Sequence, residues 1–289
     1  MTALLAMMLS LMLTACSAAP MTSVQNAPPP ASMLTPAEET VSYTVEMTTW
    51  EDASLAEDGA PLVSYHYVLP ELRALRADGT VIETAETARE REALAVTAAF
   101  NAKFATWAAA GDFEALTQEA AQDLERRRTN NMEWDEGYVL DLNCSVYQTE
   151  QLISVSGLYY SHISGAAHPN RWLLSWNFDL ESGTYFDPDL LAESTELQSA
   201  VTEEIIRQAN EPRADGTVPA ASYWEDYREI AANWGTAAVS FDSHGMAVAF
   251  SPYELAPYGF GEQTFRLSYD FLKPYLSAHG QKLLGLQSE

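Results

Sequence analysis

The stretch that decides the fold class reads RWLLSWNFDL and runs from Arg171 to Leu180. Its apolar and polar residues alternate, and a period of two is typical of a β-strand with one face on a core. The apolar face carries Trp172, Leu174, Trp176, Phe178 and Leu180, and the polar face carries Ser175, Asn177 and Asp179. Two earlier strand-like runs, Tyr138–Gln148 and Leu152–His162, complete a predicted antiparallel meander.

Helical periodicity precedes and follows this meander. One apolar stripe recurs once per helical turn at Val96, Phe100, Phe104 and Trp107. Gly111 is predicted to end that helix and Asp112 to cap a second one, with an apolar face of Phe113, Leu116, Ala120 and Leu124. A third helix is predicted from about Leu190 to Asn210, with Leu197, Val201 and Ile205 on its buried face.

Shorter segments fill the rest of the chain. Strands are predicted from Val41 to Val45, at Leu62–Leu69, at Ala237–Phe241, at Met246–Phe250 and at Thr264–Leu267, and short helices at Trp224–Trp234 and Phe271–Leu276. The fold class is therefore predicted as α+β, an antiparallel β-sheet with helices packed on it. We expect two sequential subdomains, an N-terminal one over residues 38–135 and a C-terminal one over residues 136–289.

The N-terminus has the features of an exported lipoprotein. An uncharged apolar run from Ala3 to Leu13 has the length of a signal-peptide core and is too short to span a bilayer. The motif Leu13-Thr14-Ala15-Cys16 that follows resembles the bacterial lipobox. We therefore predict a signal peptide at residues 1–15, lipidation of Cys16, a Pro-rich tether at residues 16–37, and anchoring to the outer face of a membrane.

The charge balance limits the classes of partner. The chain has 41 acidic and 15 basic residues, for a net charge of −26. A nucleic acid is not an expected partner, because binding its phosphates requires a basic face. An acidic surface attracts cationic proteins, although it also serves solubility alone.

Few residues suggest catalysis. Cys144 falls on the apolar face of its strand, so we interpret it as a core residue and not as a nucleophile. His162 and His168 bracket a loop, with Asp179, Asp187 and Asp189 downstream, but their spacing matches no metal motif. No metal site, cofactor or catalytic residue is therefore predicted, and enzymatic activity stays open with a leaning against it.

A Pro-punctuated aromatic loop is more informative. The sequence SPYELAPYGFG occupies Ser251–Gly261 between two predicted strands. Each proline fixes φ and so stiffens the loop, and rigid aromatic loops often form recognition surfaces. The alternative is that these rings cover the core as a lid, and the sequence does not decide between the two.

The C-terminal half resembles a known extracytoplasmic domain. Its marks are SGAAHPN at Ser164–Asn170, NFDL at Asn177–Leu180 and PYELAPY at Pro252–Tyr258, which follow in order. Together they resemble the domain of unknown function found in RsiV-type anti-sigma factors and beside the catalytic region of some peptidoglycan deacetylases. Ala166 stands where relatives have a second glycine. No membrane-spanning or sigma-binding segment is evident, so an anti-sigma factor of that design is not expected.

The resemblance implies a binding or sensing module, because in RsiV-type proteins this domain is a receptor for the basic enzyme lysozyme. The two loops Ser164–Asn170 and Pro252–Phe260 are then expected to form the recognition surface. The candidate partner-binding residues are His168, Pro252, Tyr253, Glu254, Pro257 and Tyr258. The partner would be a cationic protein or a cell-wall glycan. The alternative is an envelope enzyme or accessory module that acts on peptidoglycan.

Overall fold

The structure is a computed structural model and describes residues 40–108 and 113–287. The described residues belong to one compact unit. No helix of the described ranges is both long and apolar enough to cross a bilayer.

A six-stranded sheet contains the predicted meander. Its strands lie in sequence order and are β1 (Ser42–Leu55), β2 (Pro61–Leu75), β3 (Tyr138–Gln148), β4 (Leu152–Ile163), β5 (Asn170–Asp179) and β6 (Thr184–Phe186). All neighbouring strands are antiparallel except β2 and β3, which are parallel. The α+β class is confirmed, and the prediction of a purely antiparallel sheet is corrected at this one pair.

Two helices explain the parallel pair, since parallel neighbours require a long crossover. The crossover contains α1 (Ala88–Ala108) and α2 (Phe113–Thr129). The predicted stripe of α1 is confirmed, because Phe100 and Phe104 are buried against the sheet. Gly111 and Asp112, the predicted stop and cap, lie outside the described residues. Because β2 pairs with β3, the predicted boundary after residue 135 falls inside one continuous sheet.

The second half of the chain adds a smaller sheet. Strands β7 (Ala238–Asp242), β8 (Gly245–Phe250) and β9 (Gln263–Ser268) form an antiparallel sheet in that order. Helices α3 (Glu196–Ala209), α4 (Tyr227–Ala232), α5 (Tyr269–Leu272) and α6 (Ala278–Leu283) surround it. The core between them includes Val201, Ile205, Trp234 and Val248, which are fully buried. The predicted helix from Leu190 begins only at Glu196, because Pro188–Leu191 forms a separate 3₁₀ turn.

A row of polar side chains, the polar seam, joins the two sheets. It consists of Ser154 on β4 with Ser175 and Asn177 on β5. Ser175 Oγ accepts from the Val239 amide and Asn177 Nδ2 donates to the Val239 carbonyl, both at 2.8 Å. Ser154 Oγ accepts from the Phe241 amide and donates to Asn177 Oδ1, also at 2.8 Å. The polar face of β5 is therefore covered by β7 at this point.

The predicted burial of Cys144 is confirmed. Its side chain lies in the core of the larger sheet beside Leu142 and Val155. Burial raises the pKa of the Cys144 thiol to about 12, because the thiolate would be desolvated. At neutral pH the thiol is therefore protonated, which is the unreactive form.

The polar seam should contribute measurably to stability. Ser154→Ala leaves the Phe241 amide and Asn177 Oδ1 without their partner in a buried place, which should cost about 1–3 kcal/mol. The matched control is Ser156→Ala on the same strand, where the serine is exposed and the change should stay within about 0.5 kcal/mol. Urea unfolding of both variants measures the difference. Equal free energies of unfolding would show that the seam is not stabilising.

Candidate functional site

The two loops that the sequence singled out meet in the structure. One connects β4 to β5 and the other connects β8 to β9. Strand β6 pairs with β5 only at Asn177–Asp179, which leaves the rest of that edge of β5 open. The Leu173 amide on this edge donates to Ser251 Oγ at 3.0 Å and so attaches the β8–β9 loop there.

The β8–β9 loop both closes the core and exposes aromatic rings. Leu255 and Ala256 are only 1% exposed and pack inward. Tyr253 and Phe260 are 54% and 55% exposed. The sequence did not decide whether the aromatic rings of this loop cover the core. In the structure Leu255 and Ala256 cover the core, and the rings of Tyr253 and Phe260 face solvent.

Tyr253 has an unusual backbone. Its φ is +75°, a left-handed conformation that is uncommon outside glycine. Two hydrogen bonds hold it there: its amide donates to the Ala256 carbonyl, and Trp224 Nε1 donates to its carbonyl, both at 3.1 Å. Backbone conformations of this kind cluster at functional sites, where the surrounding structure maintains them.

Three rings form the three-ring cluster, defined as His168, Tyr253 and Tyr258. His168 stacks on Tyr258 with ring centroids 3.8 Å apart and planes at 17°. His168 Nε2 lies 3.0 Å from the Tyr253 hydroxyl, and the two tyrosine rings are 5.6 Å apart. One residue of the β4–β5 loop is thus fixed against two residues of the β8–β9 loop.

The contacts of His168 also assign its ring nitrogens. Nδ1 lies 3.0 Å from the Pro169 carbonyl, which can only accept, so Nδ1 carries a proton. In the neutral ring Nε2 then accepts from the Tyr253 hydroxyl. Both nitrogens are engaged in the protein's own hydrogen bonds, so His168 acts here as a structural connection between the loops.

The β4–β5 loop is anchored at its start. Ser164 is buried, and its hydroxyl donates to Asp135 Oδ1 at 2.7 Å while its amide donates to the Gly137 carbonyl. The hydrogen bond from Ser164 holds the pKa of the Asp135 carboxyl below its usual value. The next residue, Gly165, has φ of +76° and lies directly on the Arg127 guanidinium. The left-handed backbone favours glycine at this position, and a side chain here would also displace the Arg127 guanidinium.

The remaining predicted residues surround the cluster. Pro252 and Pro257 are half-buried, and Glu254 is exposed although one of its carboxylate oxygens accepts from the Ser251 amide. Sequence reasoning missed Trp224, whose indole contacts the loop and is 37% exposed. The sequence assigned Trp224 to a short helix together with Trp234. Only the structure shows that the Trp224 ring is exposed and the Trp234 ring is buried. Cys16 lies outside the described residues.

The residues considered for metal binding are dispersed. In residues 40–108 and 113–287, no three His, Cys, Asp or Glu side chains come together in a metal-binding arrangement. Asp187 and Asp189 flank the start of the 3₁₀ turn at Pro188–Leu191, and His168 is occupied as described.

The geometry defines a two-sheet α+β domain with a preformed aromatic surface at the junction of two loops. No protein-family model matches the chain, and no curated protein matches it. A crystal structure of a DUF3298 family member from Bacteroides fragilis is similar, with a TM-score of 0.58 and 11% identity over 87% of this chain and 100% of that one. A DUF3298 protein from Pseudomonas aeruginosa gives a TM-score of 0.46 and 14% identity over 82% and 95% of the two chains. The first likeness shows a common fold.

Two glycines of these loops, Gly165 and Gly259, should differ in their tolerance of substitution by alanine. Gly165→Ala places a methyl group on Arg127 in a left-handed conformation, which should cost at least about 1–2 kcal/mol. Gly259→Ala is the matched control, because its added methyl group meets no atom within 4 Å and its φ is not left-handed. Urea unfolding compares the two variants. Similar losses in both would contradict the role assigned to Gly165.

Proposed function

We propose that this protein is an exported, lipid-anchored binding module and that the three-ring cluster is the centre of its recognition surface. One observation carries the proposal. Tyr253, Tyr258 and His168 are held in fixed positions by contacts within the protein, while the Tyr253 ring stays more than half exposed. Rings fixed before binding lose little conformational entropy on binding.

The charge of the surface favours a cationic partner. Glu254 follows Tyr253 in the loop, Glu225 and Asp226 follow Trp224, and all three carboxylates are exposed. The net charge of −26 speeds the approach of a basic protein over a long range. At contact, lysine and arginine side chains gain further from the faces of tyrosine and tryptophan rings. The proposed partner is therefore a basic protein, in accord with the resemblance to lysozyme-binding domains.

Several carboxyl groups are stabilised in their charged form by contacts within the protein. Where the pKa of a carboxyl group is shifted in the described part of the chain, it is lowered, as at Glu90 by Arg76 and at Glu204 by Arg207. Such carboxylates stay charged at neutral pH and add to the negative field that attracts a basic partner.

The cluster should determine the lifetime of the complex. Tyr253→Ala or Tyr258→Ala should raise the off-rate by an amount worth about 1–3 kcal/mol if the ring is a hot spot. Trp50→Ala is the matched control, since this exposed ring lies on β1, away from both loops. Surface binding of lysozyme and other basic proteins, with uncharged glycan oligomers as the second arm, measures the effect.

Salt provides the second readout of the same assay. The Debye length falls from about 30 Å at 0.01 M to about 10 Å at 0.1 M, so association of a basic partner should slow as salt rises. If a partner binds the folded Tyr253→Ala and Tyr258→Ala variants as tightly as the wild type, the proposed surface is contradicted. Preferential binding of uncharged glycan without salt dependence would instead identify a cell-wall ligand.

The anchor is tested separately. If Cys16 is lipidated, the wild-type chain should enter the detergent phase when membranes are fractionated, and Cys16→Ala should stay in the aqueous phase. Cys144→Ala controls for the loss of a cysteine, because the Cys144 thiol is buried in the core. Equal partitioning of the wild type and Cys16→Ala would show that no lipid is attached there.

A further inference from the structure

The contacts of His168 allow its charge to change while its ring stays in place. Nδ1 lies 3.0 Å from the Pro169 carbonyl, and Nε2 lies 3.0 Å from the Tyr253 hydroxyl. The carbonyl can only accept a hydrogen bond, but a hydroxyl can either donate or accept. The hydrogen bond to Tyr253 therefore survives protonation of Nε2 with its direction reversed. The stack of the imidazole on Tyr258 does not depend on that direction.

The two protonation states present different groups to a partner. While the imidazole is neutral, the Tyr253 hydroxyl donates to Nε2, and its oxygen offers only lone pairs to an ammonium or guanidinium group. A protonated Nε2 instead donates to the Tyr253 oxygen and occupies one of those lone pairs. The hydroxyl hydrogen then turns away from His168, and a positive charge lies on a ring stacked against Tyr258.

The charged side chains around His168 already have partners. The loop Ser164–Asn170, which carries His168, contains no Asp, Glu, Lys or Arg. The β8–β9 loop, which places the two tyrosines on the imidazole, ends with Glu262 and contains one more carboxylate, Glu254. Glu254 accepts from a backbone amide of its own loop, and Glu262 pairs with Arg171 at the start of β5.

Two other histidines are placed differently with respect to charge. His66 Nδ1 lies 3.1 Å from Asp141, and His244 Nδ1 lies 3.5 Å from Asp242, so a proton on either ring is offset by a carboxylate. In the described part of the chain, no carboxylate lies within ion-pair distance of His168. Protonation of His168 therefore adds a positive charge to the cluster that no adjacent carboxylate neutralises.

We propose that His168 makes the three-ring cluster sensitive to pH. The cluster binds a lysine or arginine side chain of the partner while His168 is neutral and releases it when the imidazole is protonated. This inference rests on the proposed function and names the regulation of that site. Histidine side chains commonly change charge between about pH 5 and pH 8. On acidification the imidazolium repels the partner's cation and occupies a lone pair of the Tyr253 oxygen that would accept from it.

The protonation step can be observed in the full chain alone. In long-range 1H–15N NMR spectra, His168 should carry its proton on Nδ1 at about pH 8 and on both ring nitrogens at about pH 5.5. Nuclear Overhauser contacts between the His168 and Tyr258 rings should be present at both pH values, because the stack is kept. A neutral ring with its proton on Nε2, or loss of these contacts on acidification, would overturn the inference.

Binding is measured with a decamer of lysine that is acetylated at the N-terminus, because its charge stays constant from about pH 5.5 to pH 7.5. The wild type should bind it about tenfold more weakly at the lower pH. His168→Phe keeps an aromatic ring against Tyr258 but does not titrate, so its two affinities should agree within about twofold. His168→Gln does not titrate either and can accept from the Tyr253 hydroxyl, so it serves if His168→Phe does not fold.

A matched control separates His168 from the general loss of negative charge on acidification. His244→Gln changes an exposed histidine in the turn before β8, at the opposite end of that strand from the cluster, and should keep the pH dependence of the wild type. The same pH dependence in a folded His168 variant would overturn the inference and leave the recognition surface standing. Decamer binding that Tyr253→Ala does not weaken at about pH 7.5 would contradict the recognition surface itself, and the inference with it.

Discussion

The outer edge of β7 is satisfied by side chains of the larger sheet, and the arrangement of the whole domain depends on this contact. The Val239 amide and carbonyl and the Phe241 amide all find partners in the polar seam. Apolar surfaces can slide against each other with little loss, but a buried backbone group without a partner costs about 1–3 kcal/mol. The seam therefore fixes one position of the smaller sheet on the larger one. That position also brings the β8–β9 loop to the free edge of β5, where Ser251 meets Leu173.

The sequence predicted the individual elements better than their burial. Strands β3, β4 and β5 were placed to within a residue, because alternation marks a strand wherever one face is apolar. The same alternation could not show that Asn177 is buried. A strand whose polar face is exposed to water and a strand whose polar face is hydrogen-bonded to another sheet have the same sequence pattern. The parallel pairing of β2 with β3 was missed for a related reason: periodicity carries no direction, and only the two-helix crossover indicates it.

The candidate site was predictable to the extent that it is local. The β8–β9 loop was found because prolines and aromatic residues concentrate in it, and the β4–β5 loop because its motif resembles part of a known domain. Trp224 could not be found in this way, since it contacts the loop across 29 residues of chain. The left-handed backbone of Tyr253 could not be predicted either, because the residue is neither glycine nor asparagine, the types that commonly adopt this conformation. Contacts that depend on how two sheets are stacked leave no periodic trace in the sequence.

The excess of acidic charge affects how a partner approaches the proposed recognition surface. Most arginines of the described residues are held in ion pairs, as Arg76 is by Glu90 and Arg171 by Glu262, so the remaining carboxylates dominate the field around the molecule. That field falls off over about 10 Å at 0.1 M salt, so it governs how partners approach more than how long they stay. At the three-ring cluster this field assists the approach of a basic partner. The lifetime of the complex depends instead on the contacts that the fixed rings make once the partner has arrived.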